Sequence, residues 1–375
     1  MKDKVSQILK RLKSVTMVSL MGVLIGIGYI PYIKAAGCGD KILEPETEQC
    51  DLGTTQYLFD LVSSGAAGIN SPIDLTFGPD GYLYVTANGG GLDRVYRFDA
   101  ANGVYFDVFV DDVGGPGLDN PNGISFGPDG NVYVSAFSSN SVIAYQHPLG
   151  DPLGDPLGMD SVDFIAPGLD GLNSPTAHVF APDDSLYVAS FGTDQILHYD
   201  ANGDSLGMGP FVDTDLDGRP DAPSEIIFGP DGNLYVSSAA SDEVLVYDPD
   251  TGDLLEVFVG PDAEGRPDYP SGMAFGPDGD LYLISRLSSE ILRYDGMTGE
   301  LKDIPVSGVS ARYLAINDGR LCFTDSVSSR VLCYILEGLN SNEPNATCRS
   351  DCTEQRCGDG IIDTDFGEVC DNGNL

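Results

Sequence analysis

The sequence predicts an all-β protein, a six-bladed β-propeller closed by an N-terminal strand, and two observations lead to this fold class. The first is the phrase Phe-Gly-Pro-Asp-Gly, each time followed by a short strand such as Leu-Tyr-Val. Its copies begin at Phe77, Phe126, Phe228 and Phe275, with a variant at Phe180 and a decayed sixth copy at Ala315. The second is the spacing of 40 to 54 residues between copies, which indicates one supersecondary unit stacked repeatedly.

The first repeat shows what one unit contains. Residues 73–77 form a β-rich run, and further strand patterns follow at 82–86, 93–98 and 104–110. Pro79-Asp80-Gly81 supplies the first turn, because proline presets its φ and glycine accepts a positive φ. Four short antiparallel strands in roughly 45 residues are typical of a propeller blade.

The strand count predicts how the ring closes. The fourth-strand pattern occurs at 105–110, 161–166, 208–212, 255–259 and 302–306, and once alone at 56–62, before any first strand. The last repeat stops after its third strand, 330–335. We therefore expect the lone N-terminal strand to complete the last blade, which removes open sheet edges. The alternative is an open array of hairpins.

The pattern Pro-x-Gly-Ile-x-Phe-Gly-Pro-Asp-Gly-x-Leu-Tyr-Val, as in 121–134, resembles NHL-type six-bladed propellers. It is also similar to the SMP-30/gluconolactonase and virginiamycin B lyase-like propellers. The resemblance covers about residues 56–338. It implies an architecture that hosts lyases, lactonases and pure binding proteins, so it predicts the fold far better than the function.

Composition and the N-terminus bear on the compartment. The chain has 375 residues with 58 acidic and 19 basic side chains, a net charge of −39, which disfavours nucleic acid and anionic membranes as partners. Residues 1–36 read as an export signal, with Lys2 to Lys13 before an apolar run over 15–33. An uncleaved membrane anchor is the alternative. We expect a secreted or cell-surface protein.

The cysteines form a second pattern, because disulfides are the default in an exported chain with eight cysteines. The stretch from Cys38-Gly39-Asp40 to Cys50-Asp51 matches the stretch from Cys357-Gly358-Asp359 to Cys370-Asp371. Both resemble Myxococcus-type cysteine-rich repeats. The resemblance implies that Cys348 and Cys352 belong to the second half of one unit, and that the propeller is inserted into it.

The segments implied by this resemblance are a first half-repeat at 37–55, a second half-repeat at 339–356 and a partial second repeat at 357–375, which suggests a fragment or truncated assembly. Cys38, Cys50, Cys348 and Cys352 allow three pairings, and Cys357 with Cys370 is a further candidate pair. Cys322 and Cys333 flank the turn of the last hairpin at similar distances. They predict a cross-strand disulfide, with two buried free thiols as the alternative.

Candidate ligand residues come from the strands expected to line the central channel. The position three before the phrase phenylalanine holds Asp74, Gly123, Ala177, Glu225, Gly272 and Arg312. Asp74, Glu225 and Arg312 could bind a cation or polar ligand, and a solvated channel lining is the alternative. Asn122 in Pro-Asn-Gly resembles a metal ligand of gluconolactonase-like enzymes. The equivalent places hold Thr176, Ser224 and Ser271, which do not extend that ligand set.

Two further observations concern chemistry. The histidines His147, His178 and His198 do not form the pair of the lyase-like relatives, and no nucleophile elbow, phosphate loop or zinc spacing is present. No catalytic residue is therefore assigned. Calcium is the one candidate cofactor. Carboxylates stand at alternate positions before Gly218, at Asp213, Asp215 and Asp217, and Asp221 follows it. The alternative is an acidic solvated loop.

The leading interpretation is an exported, non-enzymatic binding or scaffold propeller with an unknown protein or carbohydrate ligand. It has no nucleic-acid partner, and it contacts a membrane only through a possible N-terminal anchor. The alternative is a metal-dependent lactonase or lyase that uses the central channel.

Overall fold

The computed structural model describes residues 58–111, 117–146, 163–207, 209–214, 219–261 and 265–336. These residues form six antiparallel sheets, one for each repeat. The proposed export segment, both cysteine-rich flanks and their six cysteines lie outside the described residues, so those predictions stay predictions. The described helices are three-residue 3-10 turns, too short to cross a bilayer.

The strands are numbered in chain order. The first strand is β1, Leu58–Val62. The first blade contains β2 Pro72–Phe77, β3 Tyr82–Ala87, β4 Arg94–Asp99 and β5 Tyr105–Asp111, and the second β6 Pro121–Phe126, β7 Val132–Ala136, β8 Ser141–Tyr145 and β9 Asp163–Ile165. The third blade contains β10 Pro175–Phe180, β11 Leu186–Ser190 and β12 Gln195–Tyr199, and the fourth β13 Pro223–Phe228, β14 Leu234–Ser238, β15 Glu243–Tyr247 and β16 Leu254–Val259. The fifth contains β17 Pro270–Phe275, β18 Leu281–Ser285, β19 Glu290–Tyr294 and β20 Leu301–Ser307, and the sixth β21 Ala311–Asn317, β22 Arg320–Asp325 and β23 Arg330–Ile335.

The ring closes through the N-terminal strand. In the sixth sheet the order is β1-β23-β22-β21, and Leu58 pairs with Tyr334 while Val62 pairs with Val331. The predicted closure is therefore confirmed. Each remaining blade runs from its innermost to its outermost strand in sequence order, as the strand count predicts.

The third blade differs from the prediction of a fourth strand at 208–212. Its sheet has three strands, and beyond them the described residues form only the isolated bridges Ile196–Val212 and Tyr199–Ser205. The local sequence explains the difference. Gly207 and Gly209 both have positive φ angles, and Pro210 has no N–H for a ladder hydrogen bond.

The recurring phrase is explained by packing between neighbouring blades. The tyrosine of one blade meets the phrase phenylalanine of the next edge-on, with ring centroids 5.1 Å apart for Tyr84 and Phe126 and 4.8 Å for Tyr133 and Phe180. The hydroxyl of Tyr84 also donates to Asp80 Oδ2 at 2.8 Å, within its own phrase. The phrase thus fixes both the turn and the contact between blades.

The sixth blade is shifted by one residue relative to the others. In the first blade Phe77 pairs with Leu83, whereas in the sixth Ile316 pairs with Leu321 across a shorter turn. Ile316, not Ala315, is therefore the equivalent of Phe77. This moves Tyr313 into the place of Asp74, and Arg312 into the place one residue earlier.

The predicted disulfide between Cys322 and Cys333 is present and joins the directly paired strands β22 and β23. Both residues belong to the apolar core of the closing blade, with Val62 and Val331. The bridge adds a covalent link to the blade that closes the ring.

Replacing Cys322 and Cys333 together by alanine is expected to lower the free energy of unfolding by about 2 to 3 kcal/mol, from loop-closure entropy. Denaturant titration with and without reductant measures this. The reductant should destabilise the wild type more than the double variant; equal stability of the two proteins without reductant would contradict the prediction.

Candidate functional site

Each of the six innermost strands presents a side chain near its start to a pocket at one end of the central channel. These side chains follow the first residue of each strand: Ile73, Asn122, Thr176, Ser224, Ser271 and Arg312. Hydroxyl groups hold the neighbouring strands together here. Thr176 Oγ1 donates to the Pro223 carbonyl at 3.0 Å, and Ser271 Oγ donates to the Arg312 carbonyl at 2.8 Å.

A second circle of residues, at the starts of loops, completes the pocket wall. Asn88, Phe137, Phe191 and Arg286 each follow the second strand of their blade, while Asn120 and Tyr269 precede the first strand. The pocket has a volume of about 300 Å³. On one side the rings of Phe137 and Phe191 lie 6.1 Å apart. The other side carries Arg286 and Arg312.

One residue further along the innermost strands are the carboxyl groups of Asp74 and Glu225, which do not line the pocket. Asp74 accepts hydrogen bonds from the amides of Leu75 at 2.7 Å and Ile124 at 2.8 Å. Glu225 accepts one from Ile226 at 3.0 Å. Of the three proposed channel residues, the structure brings Asp74 and Glu225 together and places Arg312 in the pocket.

Burial controls the ionisation of this pair. Loss of solvation raises the pKa of Asp74 to about 7, although its two amide hydrogen bonds oppose the shift. Burial, and then the charge of Asp74, raise the pKa of Glu225 well above its usual value. Two carboxyl groups in one apolar channel cannot both ionise readily.

Tyr313 separates the pocket from the carboxyl pair. Its side chain is buried and lines the pocket, and its hydroxyl donates across the channel to the Ser224 carbonyl at 3.2 Å. Burial and the charges of Glu225 and Asp74 raise the pKa of Tyr313, so the phenol stays protonated. The tyrosine forms a neutral floor between the pocket and the two carboxyl groups.

Asn122 is the pocket residue with an unused acceptor. Its backbone carbonyl accepts from Thr86 Oγ1 at 2.9 Å, but its side-chain Oδ1 is buried without a hydrogen-bond partner. An unpaired buried carbonyl costs roughly 1 to 3 kcal/mol. A ligand hydroxyl or N–H would recover this energy once the amide turned to bring Oδ1 to the pocket surface.

The donor set does not fit the metal of gluconolactonase-like enzymes. Within the described residues no group of three or more histidine, cysteine, aspartate or glutamate side chains is arranged to hold a metal ion. Near Asn122 the pocket offers the amides of Asn88 and Asn120 and hydroxyl groups, and its other side carries two guanidinium groups. The guanidinium groups would repel a divalent cation.

The predicted calcium loop is only partly described, since Asp215 and Asp217 lie outside the described residues. Asp213 Oδ1 accepts hydrogen bonds from Gln195 Nε2 at 2.8 Å and the Thr214 amide at 2.9 Å. Burial and the charge of Asp194 raise the pKa of Asp221. Calcium binding here stays a prediction.

The two described histidines lie in packed positions between strands, and His147 lies outside the described residues. His178 is buried, within 2.8 Å of the hydroxyl groups of Ser125 and Ser135, and burial lowers its pKa to about 4. His198 stacks on Tyr187 with ring centroids 4.0 Å apart. Neither residue lines the pocket.

Sequence reasoning missed several pocket residues, namely Ile73, Asn88, Asn120, Phe137, Phe191, Tyr269, Arg286 and Tyr313. A usable signal was present, because Asn88, Phe137, Phe191 and Arg286 occupy one repeat position, directly after the second strand. Comparison of the six copies at that position finds these four residues but not Tyr269, which precedes β17.

Comparison with known proteins extends only to the fold. No family model matches the chain, and no curated protein matches it significantly. Solved structures do match the chain. A gluconolactonase from Xanthomonas campestris is 18% identical, with coverage of 77% of this chain and 91% of that one and a TM-score of 0.56. A catalytically inactive virginiamycin B lyase from Staphylococcus aureus with quinupristin is 15% identical, with coverage of 77% and 91% and a TM-score of 0.51.

A third similar structure is described as an auxiliary nutrient binding protein from Bacteroides thetaiotaomicron. It is 13% identical to this chain, with coverage of 78% of this chain and 81% of that one and a TM-score of 0.56. The structural neighbours are thus SMP-30/gluconolactonase and virginiamycin B lyase-like six-bladed propellers, together with a binding protein. At these identities the likeness shows the shared fold.

Proposed function

We propose that this chain is an exported propeller that binds a small molecule in the pocket at the end of its channel. The observation that carries the proposal is the convergence of polar side chains from all parts of the ring on one concavity, with Asn122 Oδ1 left unpaired. Concave sites with a few convergent polar groups are the usual place for small ligands. A scaffold that binds proteins through its outer surface needs no such pocket.

The second candidate function is turnover of the bound molecule, as a lactonase or lyase. The neighbours that act on small molecules support it over a purely structural scaffold, so we rank this alternative above the scaffold interpretation. Because the donor set around Asn122 does not fit a metal, no metal-dependent step is proposed. Asn122 and Ser224 would position the substrate at the pocket floor.

A panel of sugar lactones, aryl esters and cyclic depsipeptides tests both functions in one series. We expect at least one compound to raise the unfolding midpoint, because a ligand at a hundredfold excess over its Kd stabilises the folded state by about 2.7 kcal/mol. Asn122→Ala should weaken the binding of that compound roughly tenfold, as expected for the loss of one hydrogen bond. The same variant should leave the unliganded protein as stable as the wild type or more so.

Asn102→Ala is the matched control, since Asn102 is exposed in a turn of the first blade. There its Oδ1 accepts a hydrogen bond from the Val104 amide. Product formation with any compound, with or without divalent ions, supports the enzyme. Binding without turnover supports a binding protein. The absence of both across the panel would count against the pocket as a ligand site.

A further inference from the structure

The two arginines of the pocket differ from all other cationic side chains in the described part of the chain. Every other described lysine and arginine lies within 4.0 Å of a carboxylate oxygen; these are Arg94, Arg97, Arg219, Arg266, Arg293, Lys302, Arg320 and Arg330. Among the described residues, Arg286 and Arg312 have no such partner. In a chain with a net charge of −39, carboxylates are abundant, so arginines without one require an explanation.

Neutral neighbours hold both side chains at the pocket. The Arg286 guanidinium lies over the Tyr269 ring, 5.2 Å from its centroid, and Arg312 Nε donates to Ser326 Oγ at 3.3 Å. Burial lowers the pKa of Arg312, and the charge of the neighbouring Arg286 lowers it further. The two guanidinium groups therefore repel each other. The unliganded protein therefore holds two like charges together without a counter-charge.

The opposite wall has the complementary character. Phe137 and Phe191 line the pocket as an aromatic pair, with Ile73 between them and the sixth blade in ring order. An aromatic or aliphatic group against these rings would lose its contact with water. The pocket thus has a cationic side and, across the channel axis, a side where two aromatic rings lie among the amides of Asn88, Asn120 and Asn122.

We propose that the ligand is a small amphipathic oxyanion, with its carboxylate or phosphate on Arg286 and Arg312 and its apolar body on Phe137 and Phe191. Guanidinium groups match both oxyanions, since each can donate two parallel hydrogen bonds. Binding would supply the counter-charge that the arginines lack. This inference rests on the proposed function, because it assigns the chemistry of a ligand in the same pocket.

Four probes separate the contribution of the ligand's charge to binding from that of its shape. Two are anions, phenylacetate and phenyl phosphate, and two are neutral, phenylacetamide and benzyl alcohol. Their binding to the full chain is measured by calorimetry and by NMR. We expect one or both anions to bind on the order of 10- to 100-fold more tightly than the neutral probes, as for charge-assisted hydrogen bonds. The two anions distinguish a carboxylate site from a phosphate site.

Arginine variants test the assignment to residues. Arg312→Gln and Arg286→Gln should each weaken anion binding on the order of 10- to 100-fold and leave the neutral probes unaffected. Arg266→Gln is the matched control, because it removes the same charge from a side chain that is 57% exposed and outside the pocket. Neither pocket variant removes a salt bridge, so their unfolding midpoints should equal or exceed that of the wild type.

The outcomes separate this inference from the proposed function. If neutral and anionic probes bind equally, or if anion binding survives both pocket variants, the oxyanion assignment is wrong while the pocket stands as a ligand site. If only the neutral probes bind, the oxyanion assignment is likewise wrong and the pocket stands as a ligand site. If none of the four probes binds, the result counts against the oxyanion directly, and the broader compound panel then decides whether the pocket binds anything.

Discussion

Deletion of residues 56–62 is expected to abolish cooperative unfolding of the propeller. These residues include β1, the outermost strand of the closing blade. Leu61 and Val62 are buried in the core of that blade, and burial of each aliphatic side chain contributes about 1.5 to 3 kcal/mol. The deletion also leaves β23 as an open edge available for pairing with other chains.

Calorimetry and size-exclusion chromatography of the deletion variant measure this effect. We expect a broad, low-enthalpy transition and soluble aggregates. Leu58→Ser is the matched control, because Leu58 is 40% exposed at the start of β1, so this change keeps the strand pairing. A sharp transition at the wild-type midpoint, with a monomer elution profile, would show that the ring does not depend on β1.

The same deletion should affect the pocket. The closing sheet runs from β1 through β23 and β22 to β21, and β21 carries Arg312 and Tyr313. Loss of the outer strand therefore loosens the blade that supplies one pocket arginine and the pocket floor. Any compound found to bind the wild type should bind the deletion variant more weakly than it binds Leu58→Ser.

Glu225→Gln is expected to make the protein more stable at pH 8 and to change its stability little at pH 4. A buried carboxyl with a raised pKa stays neutral in the folded state, while the unfolded chain ionises. Stability is therefore lost as pH rises from the unfolded pKa to the folded pKa. Glutamine removes this loss and keeps the side-chain oxygen that accepts the Ile226 amide.

Asp74 gives the scale of such effects. A shift of its pKa from 3.8 to about 7 corresponds to about 4 kcal/mol lost between those pH values. His178 acts in the opposite direction: its pKa is lowered to about 4, so its contribution is lost as pH falls from about 6.5 to 4. Comparing the variant with the wild type at each pH cancels the His178 contribution.

Urea titrations at several pH values between 4 and 8 test the Glu225 prediction. Glu256→Gln is the control, because it makes the same side-chain change at an exposed position on β16. The expected result is a stability difference between Glu225→Gln and wild type that grows with pH. A difference that is constant across the range would mean that Glu225 ionises freely in the folded protein.

Most of the architecture of the described residues could be predicted from local sequence. The repeated phrase, its spacing and the unpaired strand at 56–62 led to six blades and their closure, because turn chemistry and strand periodicity are local properties. The pairing of Cys322 with Cys333 followed from their positions on one hairpin. The sequence also pointed to Asp74, Asn122, Glu225 and Arg312 as residues of the innermost strands.

The grouping of those residues depends on contacts that the local sequence does not fix. A turn shorter by one residue shifts the sixth blade, which places Arg312 in the pocket with Asn122 and places Tyr313 beside Asp74 and Glu225. The pairing of Arg286 with Arg312, facing Phe137 and Phe191, joins loops and strands from four blades. Such contacts depend on closure of the ring and on the register of each strand, and neither is a property of the local sequence around any one of these residues.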